Sequence, residues 1–211
     1  MRPETIEHIG KVETIVQQAK AILSRYGYPD DLRTVVVCGT LSQIIEHHDA
    51  ILTLIRNDKI GSSFALARSI VEGMYRGMWI NICATDEQVK SFEQDDRLPL
   101  KMPDMAKAID QRLQGNGYFE HLLGKSWVAL CSYAHTGMLQ LGRRFTGPNL
   151  QPAYRDEEIV EVTTASTTCI LLLVGKFLEA QNHGKDCKEA EALLLTYGRS
   201  ARPPLKPSGS V

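Results

Sequence analysis

The sequence predicts an all-α protein, a single bundle of about six to seven helices. Apolar residues recur every three or four positions in nearly every periodic stretch, as on the buried face of a helix. Neither an internal repeat nor a second hydrophobic core is present. The length of 211 residues, with 43% hydrophobic and 23% charged residues, is typical of one globular domain with a real core.

The first two helices are long and amphipathic. An apolar stripe closed by Gly27 and Pro29 predicts the first helix. Asp30 or Asp31 can cap the second helix. The β-branched run 35–37 stays helical, because no turn signal separates it from the sequence that follows. We expect these helices over residues 4–26 and 31–57.

The third helix is the predicted centre of the bundle. The segment 61–63, Gly-Ser-Ser, breaks the chain before it, and the helix that follows is apolar around most of its circumference. Thr85 and Gln88 have the spacing of a capping box and predict a short polar helix. We expect these helices over residues 63–84 and 85–95.

Turn signals divide the second half of the chain. Pro103 suits a first helical position, and the segment 115–117, Gly-Asn-Gly, is a turn. The segment 145–154 is an expected loop, and the acidic residues 156–158 favour a helix start. The remaining helices are expected over residues 103–114, 118–143, 156–182 and 186–197.

The predicted organisation is one helical domain over residues 1–197 and a disordered tail over 198–211, which contains three prolines. Five cysteines, an odd number without a Cys-x-x-Cys pair, favour a reducing compartment. The longest aliphatic run, 170–174, is too short to cross a membrane, and the first residues lack a signal peptide's apolar core. We therefore expect a soluble, cytoplasmic protein that does not bind a membrane.

Arg68, Glu72 and Arg76 are the sharpest chemical feature of the sequence. Their spacing of four and four places them on one face of the central helix, among apolar or small residues. Because a buried unpaired charge is costly, they should pair with one another or with a ligand. They form either a structural ladder between helices or an anion site in which Glu72 orients two guanidinium groups.

A second candidate is His135, within the small and hydroxylic segment 132–137. A lone helical histidine is most often structural, but an imidazole with a pKa near 6.5 suits proton transfer at neutral pH. Arg143 lies about two turns further along, roughly on the same side. Arg143, Arg144 and Arg155 could contact a polyanion, although such clusters are more often solvated surface. The net charge of −1 argues against a general nucleic-acid coat but allows a local basic pocket.

Together these residues are consistent with a metal-free site for phosphodiester cleavage. Glu72 would orient the arginines, Arg76 would stabilise charge on the phosphate, and His135 would transfer the proton. The expected substrate-binding residues are Arg68, Arg143 and Tyr133. No cofactor and no metal ion is expected, because His-Glu-x-x-His, Glu-x-x-His and His-x-x-x-His do not occur in the chain. The segment 46–49, Glu-His-His-Asp, also lacks the helical spacing of three or four residues between a histidine and a carboxylate. A metal site would need ligands from separate helices, such as His48, Glu72 and His135.

The segments 63–79 and 132–137 resemble uncharacterised helical bacterial families with an Arg-x-x-x-Glu helix and a later histidine-containing helix. Those families look like relatives of abortive-infection proteins and of the HEPN superfamily. The resemblance implies a HEPN-like bundle, often dimeric, that cleaves RNA without metal in phage defence or a toxin–antitoxin pair. One departure is that the usual HEPN spacing, an Arg followed four to six residues later by a His on one helix, occurs only from Arg2 to His8.

Whether the protein is an enzyme stays open at this point. The leading hypothesis is a metal-independent RNA-cleaving protein, with RNA as its partner. The alternative is a non-catalytic adaptor or antitoxin-like protein with a structural Arg-Glu-Arg ladder, acting as a homodimer or with a cognate protein. A third possibility is a sensor that binds a small carboxylate or phosphate at the same arginines.

Overall fold

A computed structural model describes residues 1–200, with side chains to residue 197, and this part of the chain is predominantly helical. Two two-residue strands, β1 (Phe145–Thr146) and β2 (Asn149–Leu150), form an antiparallel hairpin. The described residues form nine helices: α1 Pro3–Leu23, α2 Leu32–Arg56, α3 Ile60–Ile82, α4 Asp86–Asp95, α5 Met102–Leu113, α6 Tyr118–Ala134, α7 Met138–Gly142, α8 Asp156–Ala180 and α9 Gly184–Ser200. The all-α prediction is confirmed. The nine helices of the described residues exceed the six to seven predicted for the bundle and the eight ranges assigned one by one, because residues 118–143 form two helices. A specifically HEPN-like bundle stays a prediction.

The predicted tail differs at its start. The helix α9 continues to Ser200, three residues past the expected end of the domain at residue 197. The rest of the predicted disordered tail, residues 201–211, lies outside the described residues.

The helix α3 is central, as predicted. It packs against α2, α5, α6 and α8, while α8 also packs against α1, α2 and α9. Phe64, Ile70, Met74 and Tyr75 of α3 are almost fully buried in a core that all these helices share. Few residues of α3 therefore face solvent, so each of its charged side chains needs a partner or access to water.

Helix caps explain several boundaries. The Asp31 carboxylate accepts a hydrogen bond from the Thr34 backbone N–H, and Thr85 and Gln88 form the expected capping box. The expected break at 61–63 is wrong, because these residues belong to the first turn of α3. The chain turns earlier, at Asp58, which has a left-handed backbone with φ of 55°.

The predicted continuous helix over 118–143 is also wrong, because a turn interrupts it between α6 and α7. Thr136 has a left-handed backbone with φ of 56°, and Gly137 packs so closely on Ser132 that an added Cβ would lie 2.8 Å from the Ser132 Cα. The Ser132 Oγ accepts a hydrogen bond from the Leu139 backbone N–H at 3.0 Å and so caps the start of α7. A residue with a side chain at 137 would block this turn.

One helix in the described residues, α8, is long and apolar enough to cross a membrane by length and composition. More than half of its most apolar stretch is buried against the other helices. The core helix of a soluble protein can have the same composition, and α8 packs here against α1, α2, α3 and α9. A cytoplasmic location stays a prediction.

Candidate functional site

The helices α3 and α6 run antiparallel, and three contacts establish their register. Towards the end of α3, the buried Tyr75 hydroxyl donates a hydrogen bond to the Phe119 carbonyl at 2.7 Å. In the middle, the Arg68 guanidinium lies 5.0 Å from the centroid of the Trp127 ring. Near the start of α3, the rings of Phe64 and Tyr133 pack edge to face at 5.2 Å.

This register separates two of the predicted catalytic residues. Arg76 follows Tyr75 and lies near the first turn of α6, whereas His135 ends α6 beside the Phe64 end of α3. Twelve residues separate Phe64 from Arg76, which is about 18 Å along a helix axis. The structure therefore does not bring Arg76 and His135 together. Their predicted meeting is corrected, because α6 runs opposite to α3.

The predicted Arg-Glu-Arg ladder is reduced to a pair. Arg68 and Glu72 form an ion pair at 3.2 Å, with side chains 20% and 24% exposed. Arg76 is exposed and has no ion-pair partner among the described residues. The Nε and Nη1 of Arg68 are buried without a hydrogen-bond partner in the described part of the chain. Because Arg68 lies over the Trp127 ring, the ion pair links α3 to α6. This geometry favours a structural role for the pair over an anion site.

Arg143 and Tyr133, two predicted binding residues, do meet at the other end of α6. Arg143 forms an ion pair with Glu158 in the first turn of α8, and Tyr133 lies beside its guanidinium group. Arg144 and Tyr154 complete the group, which we name the arginine–tyrosine cluster: Tyr133, Arg143, Arg144, Tyr154 and Glu158.

Gly61 makes room for this cluster at the start of α3. A Cβ added there would lie 2.5 Å from the Tyr154 hydroxyl and 2.7 Å from Nη2 of Arg144. The buried Gln140 donates a hydrogen bond to the Gly61 carbonyl at 2.9 Å and accepts one from the Tyr154 hydroxyl at 3.0 Å. These bonds hold α7 and the loop before α8 against α3, so the side chain of Tyr154 has a defined position.

The electrostatics of the cluster are dominated by its cations. Burial lowers the pKa of Arg143, but Glu158 and Tyr133 raise it more, so the net shift is upward. Burial also raises the pKa of Tyr154, although Arg144 opposes that shift. Arg144 is half-buried and has no ion-pair partner within residues 1–197, and Arg155 is 68% exposed beside Glu158. The cluster therefore has more positive charge than Glu158 neutralises.

His135 lies at the same end of α6 as the cluster. It is exposed, and it follows Tyr133 by two residues, so the two side chains leave the helix on different sides. A ligand that contacts both the cluster and the imidazole must pass around the end of α6. An extended chain molecule meets this requirement more easily than a small one.

Other histidines have structural surroundings. His48 is fully buried with its Nδ1 hydrogen-bonded to Ser166, and it forms no group of three metal-binding side chains with Glu72 and His135 in the described residues. Arg2 pairs with Asp156 and Glu157, and His8 is hydrogen-bonded to Thr163, so both residues join the start of α1 to α8. Within residues 1–200, no three His, Cys, Asp or Glu side chains are grouped to hold a metal ion.

Comparison with known proteins shows the family. Residues 41–190 match the model of a family of unknown function, DUF6988, and the chain belongs to this family. The match spans α3, α6 and α8 and thus all residues of the cluster. No curated protein and no solved structure matches the chain. The resemblance to abortive-infection and HEPN-like proteins stays a prediction.

Sequence reasoning misses part of this site. Tyr154 lies in an expected loop, and Gly61 in an expected chain break. Glu158 is expected only as part of a helix start, where its side chain also accepts a hydrogen bond from the Arg155 backbone N–H. A signal exists in the pair Arg143-Arg144, whose two adjacent cations require acidic or anionic partners if they are not fully solvated.

Proposed function

We propose that this protein binds RNA at the arginine–tyrosine cluster and cleaves the bound strand without a metal ion. The observation that supports the proposal is the convergence of Arg143 and Arg144 on Tyr133 and Tyr154. Glu158 is the opposing acid, and Arg155 lies beside it. A HEPN-like relationship, and a role in phage defence or a toxin–antitoxin pair, belong to the same proposal. The motif resemblance and the helical bundle support them.

The cluster suits the chemistry of an RNA strand. A guanidinium group donates paired hydrogen bonds to phosphate oxygens, and Arg144 has no acidic partner in the described residues to compete for it. The half-buried rings of Tyr133 and Tyr154 offer surfaces on which bases can stack, at about 1–3 kcal/mol per base. A strand held there can continue around the end of α6 to His135.

In the proposed cleavage, His135 accepts the proton of a ribose 2′-hydroxyl while that oxygen bonds to the adjacent phosphorus. The bond from phosphorus to the 5′-oxygen breaks, and water protonates the leaving oxygen. The products are a 2′,3′-cyclic phosphate and a 5′-hydroxyl. Arg144 binds a phosphate further along the same strand, and this contact holds the scissile linkage at His135.

The test separates binding from cleavage. Purified protein is incubated with tRNA and total RNA in chelator, and affinity is measured separately with a labelled single strand. We expect Arg144→Gln to weaken binding at least tenfold, because it removes the unpaired cation. We expect His135→Ala to abolish cleavage with little change in affinity. His121→Ala is the matched control, since His121 is exposed at the opposite end of α6.

Each outcome has one meaning. Equal RNA profiles for wild type and His135→Ala would overturn the catalytic role, and unchanged affinity of Arg144→Gln would overturn the binding site. If wild type neither binds nor cleaves RNA, the second candidate function, a non-catalytic interaction protein, is favoured. The structural Arg68–Glu72 pair and the exposed apolar side chains between residues 128 and 150 support that candidate.

A further inference from the structure

A long stretch of this chain lacks charged side chains although much of it is at the surface. Residues 126–142 contain no Asp, Glu, Lys or Arg, whereas such residues make up 23% of the whole chain. Only Gln140 in this stretch is buried. An uncharged surface segment of this length is unusual, because depletion of charge is typical of the core of a protein interface.

The exposed apolar side chains concentrate in the same region. The helix α7 and the hairpin follow each other directly, and Phe145 and Leu150 are opposite partners in the hairpin register. The large apolar residues that are exposed between residues 128 and 150 are Val128 at 76%, Met138 at 78%, Leu139 at 47%, Leu141 at 41%, Phe145 at 51% and Leu150 at 78%. We name this set the apolar face.

The second half of α6 extends the apolar face. Residues 126–134 are apolar or small on all sides of the helix, yet none of them is fully buried in the described structure. A helix that is apolar all round is normally buried. In this chain, α3 covers one side of α6 and leaves the rest partly exposed. The segment therefore has the composition of a core helix without its surroundings.

We propose that the apolar face binds a second copy of this chain and forms a two-fold symmetric dimer. A standard interface needs roughly 800 Å² from each partner. Six apolar side chains exposed by 41–78%, together with the partly exposed half of α6, provide an area of that order. Residues 126–142 contain no charged side chain that would repel its own copy across a two-fold axis, so this segment suits contact with an identical face. This inference does not depend on RNA binding.

The oligomeric state of the purified full chain tests the proposal. Light scattering coupled to size exclusion should give twice the mass of one chain for wild type. Met138→Glu combined with Leu150→Glu should give the monomer mass, because four carboxylates would be buried in each dimer. Both residues are 78% exposed, so the monomer fold tolerates the change. Ile6→Glu with Leu195→Glu is the matched control, at residues 57% and 61% exposed on α1 and α9, and should remain dimeric.

A monomeric wild type at the highest soluble concentration would overturn the proposal and would show that the face is either free or covered by a different protein. A dimer that survives Met138→Glu with Leu150→Glu would place the interface elsewhere and would overturn it too. Circular dichroism of both double variants confirms that each remains folded. If only the apolar-face variant loses the dimer while its RNA affinity stays unchanged, dimerisation and RNA binding are separate properties.

Discussion

His48 shows how one buried polar residue makes stability depend on pH. The Ser166 hydroxyl donates to the Thr163 carbonyl, so it accepts the hydrogen bond from Nδ1–H of His48 at 2.9 Å. The Nε2 atom then carries a lone pair and is buried without a partner in the described residues. Burial lowers the pKa of His48 to about 4, although Asp49 and Glu13 oppose the shift.

The pKa of His48 predicts a loss of stability on mild acidification. The unfolded chain, with a histidine pKa near 6.5, binds this proton before the folded protein does. The stability that depends on an uncharged His48 is therefore fully present above pH 6.5 and is lost as the pH falls towards 4. It amounts to about 3 kcal/mol of the free energy of unfolding. Urea unfolding followed between pH 7 and pH 4 measures it.

The matched variants isolate this group from the carboxylates that titrate nearby. His48→Asn keeps an N–H for Ser166 but cannot ionise, so its stability should change less over this range than that of wild type. His47→Asn, at the half-buried neighbouring position, should keep the wild-type dependence. Equal pH dependence in wild type and His48→Asn would contradict the assignment.

Arg68, Glu72 and Arg76 illustrate why spacing alone does not identify the site. The spacing correctly predicts the Arg68–Glu72 pair, which is local to one helix. The residue of α6 that lies beside Arg68 depends on the direction in which α6 runs. That direction places Trp127 there and not His135. Local spacing does not contain that direction.

Two glycines of α3 allow the central helices to approach closely. A Cβ added at Gly77 would lie 2.7 Å from Cδ2 of Leu173 on α8 and 3.2 Å from Cγ2 of Thr40 on α2. A Cβ at Gly73 would strike the Ile44 side chain on α2. These positions make the contacts of α3 with α2 and α8 sensitive to one added methyl group.

We expect Gly77→Ala to destabilise the protein by about 1–3 kcal/mol, because the added methyl overpacks the junction of three helices. Gly39→Ala on α2 is the control, since nothing lies within 4 Å of its added Cβ. Alanine there should stabilise the protein by about 0.5–1 kcal/mol through helix propensity. Chemical denaturation of both variants measures the difference, and a neutral Gly77→Ala would contradict the close packing.

Across the whole molecule, charge is balanced while the candidate RNA site is cationic. The chain has 24 basic and 25 acidic residues, and many of the exposed pairs join helices, such as Arg56 with Glu13 and Lys20 with Asp49. The affinity for RNA should therefore come from the arginine–tyrosine cluster rather than from a general positive field.

This balance predicts a weak salt dependence of RNA binding. With about two phosphates neutralised, mainly by Arg144 and Arg155, the slope of log affinity against log salt should be about −1.4 for a single strand. Titrations of a labelled strand at several salt concentrations measure the slope. A much steeper slope would show that phosphate contacts extend well beyond the cluster.

Periodicity and caps in the sequence determine most of the helices of this protein. The apolar stripe of α3 predicts its central position, and Asp31 and Thr85 predict helix starts, because these signals act within a few residues of the chain. The turn at Gly137, the antiparallel register of α3 and α6 and the assembly of Tyr154 with Arg144 are decided only by the tertiary structure. These three features are stabilised by packing between side chains that are distant in the sequence. No short stretch of sequence contains both partners, so no local pattern reveals the contact.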